Sequence, residues 1–184
     1  MLDHAWLYDL VDPDDEVRGR ALERRWAAVA ERHRDDPMAA FLDYPAPDMA
    51  LAPLALLFLR WEARYPAEWR ARESHPFSPW SIKELILRHF GTSGVPATLR
   101  EDAADLLHAA ILRPYRCKDW MYARLVHHVP AEVFRDRVDD PDPLVSARAR
   151  FLLHVADHPD RPVKRVSWQR WLDETGLAVR TDVR

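Results

Sequence analysis

Apolar residues recur along this chain at helical steps, in short runs that prolines cut apart, and the pattern predicts helices throughout. Trp6, Leu7 and Leu10 share one side of a short helix that Asp3 can cap and that runs to Val11. Asp12-Pro13-Asp14-Asp15-Glu16 then opens a helix to about Arg34, its acidic residues complementing the positive end of the helix dipole. The apolar positions of that helix, Val17, Ala21, Trp26, Val29 and Ala30, are sparse, which predicts a largely wet surface. A short helix follows between Asp36-Pro37 and Tyr44-Pro45. Ala52-Pro53 opens the most apolar one, and Leu54, Leu56, Leu57, Phe58 and Trp61 around its circumference predict a covered, central position. Tyr65-Pro66 breaks it, a short helix carrying Trp69 comes next, and residues 73–79, with Pro76 and Pro79, predict a loop.

The second half repeats this punctuation. Ser78-Pro79 or Ser81 caps a helix that Gly91 is predicted to end as a left-handed residue. Thr98 and Glu101 have the spacing of a capping box, and Leu99, Ala103, Leu106, Leu107, Ala110 and Ile111 then form one apolar face. Pro114 stops that helix near Leu112 or Arg113. Asp119 is the predicted N-cap of the next, which carries Trp120, Ala123 and Val126 on one side with Met121, Leu125 and His128 beside them. Pro130 starts a short helix, and Asp142-Pro143 begins one that runs to Asp157 and stops at His158-Pro159. A Ser167-capped helix with Trp168, Trp171 and Leu172 ends at Gly176, and residues 177–184 are expected to be a flexible tail.

Composition narrows the fold. Four glycines stand against fifteen prolines in 184 residues, which disfavours the many tight turns of a β-sandwich or barrel and fits an all-α chain. At 48% hydrophobic and 31% charged the chain is globular, and one domain over residues 1–176 is expected. The net charge of −3 supplies no global field toward nucleic acid or membrane. The longest apolar run, Met49 to Leu59, contains Pro53 and falls far short of the ~20 residues a bilayer needs. Cys117 is alone, so a reducing compartment is expected, and Met-Leu-Asp-His lacks the start of a signal peptide; both predict a cytoplasmic protein. Cations are nearly all Arg, with Lys only at 83, 118 and 164, which together with the Ala and Pro content suggests a GC-rich bacterial genome.

One motif recurs. Asp12-Pro13-Asp14 followed by Val17, Arg20 and Ala21 matches Asp140-Pro141-Asp142 followed by Val145, Arg148 and Ala149 at equal spacing. This is similar to the turn-plus-helix start of HEAT-like repeats, with Asp-Pro for the bend, Val for the core, and Arg and Ala on the following helix. The interval accommodates roughly three periods of the ~40–47 residues such units take, and the resemblance covers about twenty residues in all. It implies a HEAT-like helical-pair array, a short α-solenoid or right-handed helical bundle, with one concave face.

Candidate chemistry is sparse. His154 and His158 have the spacing to ligate one metal from one helix face, but Val155 stands where a zincin has Glu, and a histidine at a helix C-terminus is already favoured by the dipole. His127 and His128 diverge on a helix, and Pro130 breaks the face that Glu132 would need. Asp139, Asp140 and Asp142 form an acidic turn without the glycine and terminal Glu of an EF-hand. Cys117 lies between Arg116 and Lys118, which would favour its thiolate, yet no histidine base is placed beside it. No P-loop, dinucleotide fingerprint or nucleophile elbow occurs, so no catalytic residue, metal or cofactor is predicted.

Two surfaces remain. The first is the corner formed by Arg113, Tyr115, Arg116, Lys118, Asp119, Trp120, Tyr122 and Arg124, where cations and aromatics interleave as they do at contact surfaces; it is the predicted binding site. The second is Arg161 to Arg170, with four cations and no acid. Trp61, Tyr65 and Trp69 could line a groove but are expected to be core. The function these features predict is a non-catalytic protein-binding module, an adaptor, inhibitor or immunity-type protein, with no membrane partner. The alternative is a nucleic-acid-binding protein or a DNA-repair glycosylase of the HEAT-like class, for which Asp119 with Trp120 is the nearest pairing to the aromatics and Asp of that class. A third reading, an enzyme using His108, His127 or Cys117 in a cleft, ranks below both.

Overall fold

A computed structural model describes residues 5–31, 49–71, 78–114 and 116–176, and among these all regular structure is helical. The predicted helix between Asp36 and Tyr44, most of the 73–79 loop, Asp3, Tyr115 and the 177–184 tail lie outside the described residues. The chain divides into two compact units, Met1–Ile86 and Leu87–Arg184.

The first unit contains a 3-10 turn at Ala5–Val11, α1 at Asp15–Glu31, a 3-10 turn at Met49–Leu51, α2 at Ala52–Arg64 and α3 at Pro66–Arg70. The start of α4, Pro79–Ser93, also belongs to it. Helix α2 is the centre its leucines predict: every residue from Leu54 to Leu59 is buried, together with Trp61. Pro66 ends α2 at Tyr65 and starts α3, which seals Trp69 completely. Trp61 and Trp69 both meet Phe58 edge-on, at 6.2 and 5.5 Å between ring centroids, so these rings are core and not groove.

Two buried cations in this unit escape hydropathy. The Arg18 guanidinium donates to both Glu68 carboxylate oxygens and to the Asp12 and Pro13 carbonyls at 2.9 and 3.0 Å, and it lies 3.7 Å over the Tyr65 ring. Glu68 and Asp15 therefore hold Arg18 firmly in its charged form. Lys83 of α4 sits 3.5 Å from Glu62 of α2, and neither side chain has any solvent exposure.

The second unit contains the end of α4, a 3-10 turn at Ala97–Leu99, α5 at Arg100–Leu112, a 3-10 helix at Asp119–His128, α6 at Glu132–Arg135, α7 at Pro143–Asp157 and α8 at Arg165–Glu174. Phe90, Leu107, Met121, Leu125, Phe134 and Phe151 fill its core. Helix α7 follows the sequence pattern to the residue, with Pro143 in its first turn and His158 at its end.

Several local expectations are corrected. Helix α5 starts at Arg100 with no side-chain cap, so Thr98 and Glu101 form no capping box; both are exposed. Gly91 does not end α4: the helix continues to Ser93, and Gly94, at φ 86°, takes the left-handed position. Gly91 is small for another reason, since a Cβ there would stand 2.9 Å from the Arg124 Cβ. Asp119 caps no α-helix, because its carboxylate is taken by Arg113 and the Arg116 N–H, and the segment it opens is 3-10. Ser167 lies inside α8, which begins at Arg165 without a side-chain cap.

The two Asp-Pro-Asp turns are built alike. Asp12 accepts from the Asp14 N–H at 2.8 Å and Asp14 from the Glu16 N–H at 2.8 Å; Asp140 accepts from Asp142 at 3.0 Å and Asp142 from Leu144 at 2.8 Å. Such short carboxylate bonds to free N–H groups bend the chain and start the helix. Ala21 and Ala149 are both buried. The arginines part company: Arg20 is exposed beside Glu16, whereas Arg148 is buried and donates to the Ile111 carbonyl at 2.8 Å and to that of Arg113, covering the C-terminal end of α5.

Candidate functional site

Part of the predicted corner, Arg113, Asp119 and Tyr122, turns inward. Arg113 forms a two-bond pair with Asp119, Nη1 to Oδ2 at 2.8 Å and Nη2 to Oδ1 at 2.9 Å, with side chains only 10% and 6% exposed. Tyr122 is 2% exposed, and the Arg113 guanidinium lies 5.7 Å from its ring centroid. Arg116, Cys117, Lys118 and Trp120 are half-buried, and Lys118 takes the left-handed conformation at φ 65° that turns the chain into the 3-10 helix. The hollow beside them, walled by Asp119, Trp120, Tyr122 and Arg148, has about 30 Å³, room for a water or two. Tyr115 is outside the described residues. Arg113 and Asp119 thus fasten the chain that leaves α5.

The roomier cavity lies where the second sequence feature, Arg161 to Arg170, meets the end of α7. It is a cleft of about 410 Å³, within the size range of small-ligand and side-chain pockets. Its wall is aromatic: Phe151, His154 and His158 from α7 and the turn after it, and Trp171 from α8. His154 lies against His158 and Trp171 with centroids 4.3 and 5.2 Å apart, both at 32° between planes, and Phe151 meets Trp171 at 5.9 Å. Trp171 Nε1 donates to the Ala147 carbonyl at 3.1 Å, which fastens α8 to α7 and fixes the ring. Trp168 and Leu172, one helical turn apart, form the buried face of α8.

The rim is basic. Arg161, Lys164 and Arg170 are exposed and line the cleft, with Glu174 as the one carboxylate among the lining residues. Burial, then His158 and Arg161, push the His154 imidazole below the ordinary histidine range, against the opposing pull of Asp157 and Glu174. Three cations against one carboxylate make the lining positive in a chain whose net charge is −3. His158 Nδ1 lies 2.8 Å from the His154 carbonyl, to which it donates; the neutral ring then offers an acceptor at Nε2, and a second donor only once protonated. This bond also covers an otherwise free carbonyl at the α7 terminus, which accounts for the histidine spacing without a metal. Among the described residues no group of three or more His, Cys, Asp or Glu is placed to hold a metal ion.

One residue of the predicted corner reaches this site. Arg124 Nη2 donates to the Val163 carbonyl at 3.2 Å, and Val163 lines the cleft. Gly91 permits that reach by leaving room for the Arg124 stem. The third-reading histidines stay apart from the cleft: His108 lies 3.4 Å from the Val133 carbonyl and from Arg137, and His127 is exposed. His128 is half-buried and, like His154, pushed below the ordinary range by burial and then by His127.

Sequence reasoning gave the cations of the cleft but not Phe151, His154, His158 and Trp171 as their companions. The available signal was spacing: residues 151, 154 and 158 fall on one helix stripe, and Trp168 and Trp171 occupy neighbouring faces of the next. No family model, curated protein or solved structure matches the chain. No helix among the described residues is long and apolar enough to cross a membrane.

Proposed function

We propose that this chain is a non-catalytic protein-binding module of HEAT-like type, an adaptor, inhibitor or immunity-type protein. Its gripping surface is the cleft between α7 and α8. The observation that carries the reading is the composition of that cleft: aromatic rings, Trp171 among them fixed by its bond to the Ala147 carbonyl, bordered by exposed cations. Rigid rings contribute contact area at low entropic cost, and exposed arginines supply directional donors. The HEAT-like assignment is supported by the two Asp-Pro-Asp turns, which use the same carboxylate-to-N–H bonds at both helix starts. The divergence of Arg20 and Arg148 means that the shared element is the turn and the small alanine, not the arginine. The expectation of a bacterial, cytoplasmic protein goes with this reading.

Arginines beside a tryptophan also suit phosphates and stacked bases, and this favours nucleic acid as the second reading. A paired experiment separates the two. The full chain used as bait in a lysate of its native cells should retain one protein in stoichiometric amount. At low salt it should shift neither duplex nor single-stranded DNA. A salt-dependent DNA shift with no stoichiometric protein would replace this reading with the nucleic-acid one.

A further inference from the structure

The cleft admits a sharper statement, which rests on its assignment as the gripping surface. Three cations, Arg161, Lys164 and Arg170, border a cavity of about 410 Å³ in which Glu174 is the one carboxylate. None of the three has an ion pair with another described residue, so their charge is available to a ligand. A single carboxylate would leave most of that charge unanswered. A segment carrying several acidic side chains would meet it, and burial against Phe151 and Trp171 would exclude water from the resulting pairs.

The histidines add a second property. Asp157 and Glu174 draw protons toward His154, while His158, Arg161 and burial repel them. Burial leads that balance in the free protein, and an arriving anion adds to the pull of the two acids. Protonated His154, whose ring lies 4.3 Å from that of His158, would present one more N–H to a carboxylate.

We propose that the cleft receives an acidic segment of a partner protein, its carboxylates paired with Arg161, Lys164 and Arg170, and that binding takes up a proton on His154. The occupant is a run of Asp and Glu side chains. Phosphate groups, free or on nucleic acid, are competing outcomes of the test.

The test uses the full chain and hexaglutamate, followed by the ring carbon-bound proton signals of His154, His158 and Trp171. In about 0.02 M salt these three residues should shift together, and added salt should release the peptide. The dissociation constant should be about threefold to tenfold lower near pH 6 than near pH 8, as the His154 signal moves toward its protonated position on binding. The exposed triple variant Arg161→Glu, Lys164→Glu, Arg170→Glu should keep its helical melting curve and bind at least about tenfold more weakly. Inorganic phosphate or tripolyphosphate that moves these signals while hexaglutamate does not would overturn the assignment to carboxylates. Equal binding by the triple variant, or no difference between the two pH values, would overturn the cation or the proton component. If hexaglutamate fails while a native protein is still retained stoichiometrically, the acidic-segment inference falls and the binding-module reading stands.

Discussion

Lys83→Met should unfold at markedly lower denaturant than the native chain, losing about 3–5 kcal/mol, the range seen when one partner of a buried ion pair is removed. The reason is the broken pair. Lys83 and Glu62 are both wholly without solvent exposure, so water cannot replace the ammonium that Lys83 places 3.5 Å from the Glu62 carboxylate. Methionine matches the length of the lysine stem, which separates loss of charge from loss of packing. The pair as a whole contributes much less than either half suggests, since burying two charges costs nearly what their attraction returns. The double variant Lys83→Met, Glu62→Leu should therefore recover most of the loss. Urea midpoints of the three proteins check this. A single variant as stable as the native chain, or a double variant as unstable as the single one, would remove the broken ion pair as the cause.

Arg18→Ala should cost about 2–3 kcal/mol, less than Lys83→Met although Arg18 makes more bonds. The difference lies in what each change strands. Arg18 is 4% exposed, but the Glu68 side chain that holds it is 32% exposed and can turn to water once released. What is lost is a set of charge-assisted bonds, the two carbonyl bonds to Asp12 and Pro13, and the stack on Tyr65. Those contacts fasten the first Asp-Pro-Asp turn, so hydrogen exchange at Asp14 and Glu16 should quicken beyond the global change. Arg18→Lys should recover little, because an ammonium cannot bridge Glu68 and two carbonyls in one plane. Exchange at the turn unchanged by Arg18→Ala would show that the turn stands on its own carboxylates.

What the sequence disclosed is what short-range chemistry decides. The Asp-Pro-Asp turns are legible because each carboxylate serves an N–H two residues on. The burial of α2 is legible because leucines cover its circumference, and the α7 boundaries because Asp142-Pro143 and His158-Pro159 mark both ends. Errors came where a distant residue outbids a local preference. Asp119 reads as a cap until Arg113 takes its carboxylate. Gly91 reads as a helix terminus until Arg124 turns out to need the space its missing Cβ leaves. Arg18, a cation that no hydropathy pattern would bury, is drawn inward by Glu68, far along the chain.

The candidate site follows the same logic. An aromatic-and-arginine run such as Arg113 to Arg124 looks like a contact surface, but the composition is equally that of a cation pinned by a buried acid beside an inward tyrosine. The cleft was half visible, as the acid-free run Arg161 to Arg170. Its aromatic wall belongs mostly to α7, and only the packing of α8 on α7 through Trp168, Trp171 and Phe151 unites the two. Helix-to-helix packing is not written in either helix alone.

The most direct measurement is photo-crosslinking in the native cells, with a photoreactive side chain placed at Ser167, which lines the cleft, or at Gln169, exposed on the same helix outside it. The account predicts one cross-linked protein partner from position 167, with the product from 169 weak or absent. Equal products from both positions, or nucleic acid as the species captured at 167, would contradict it.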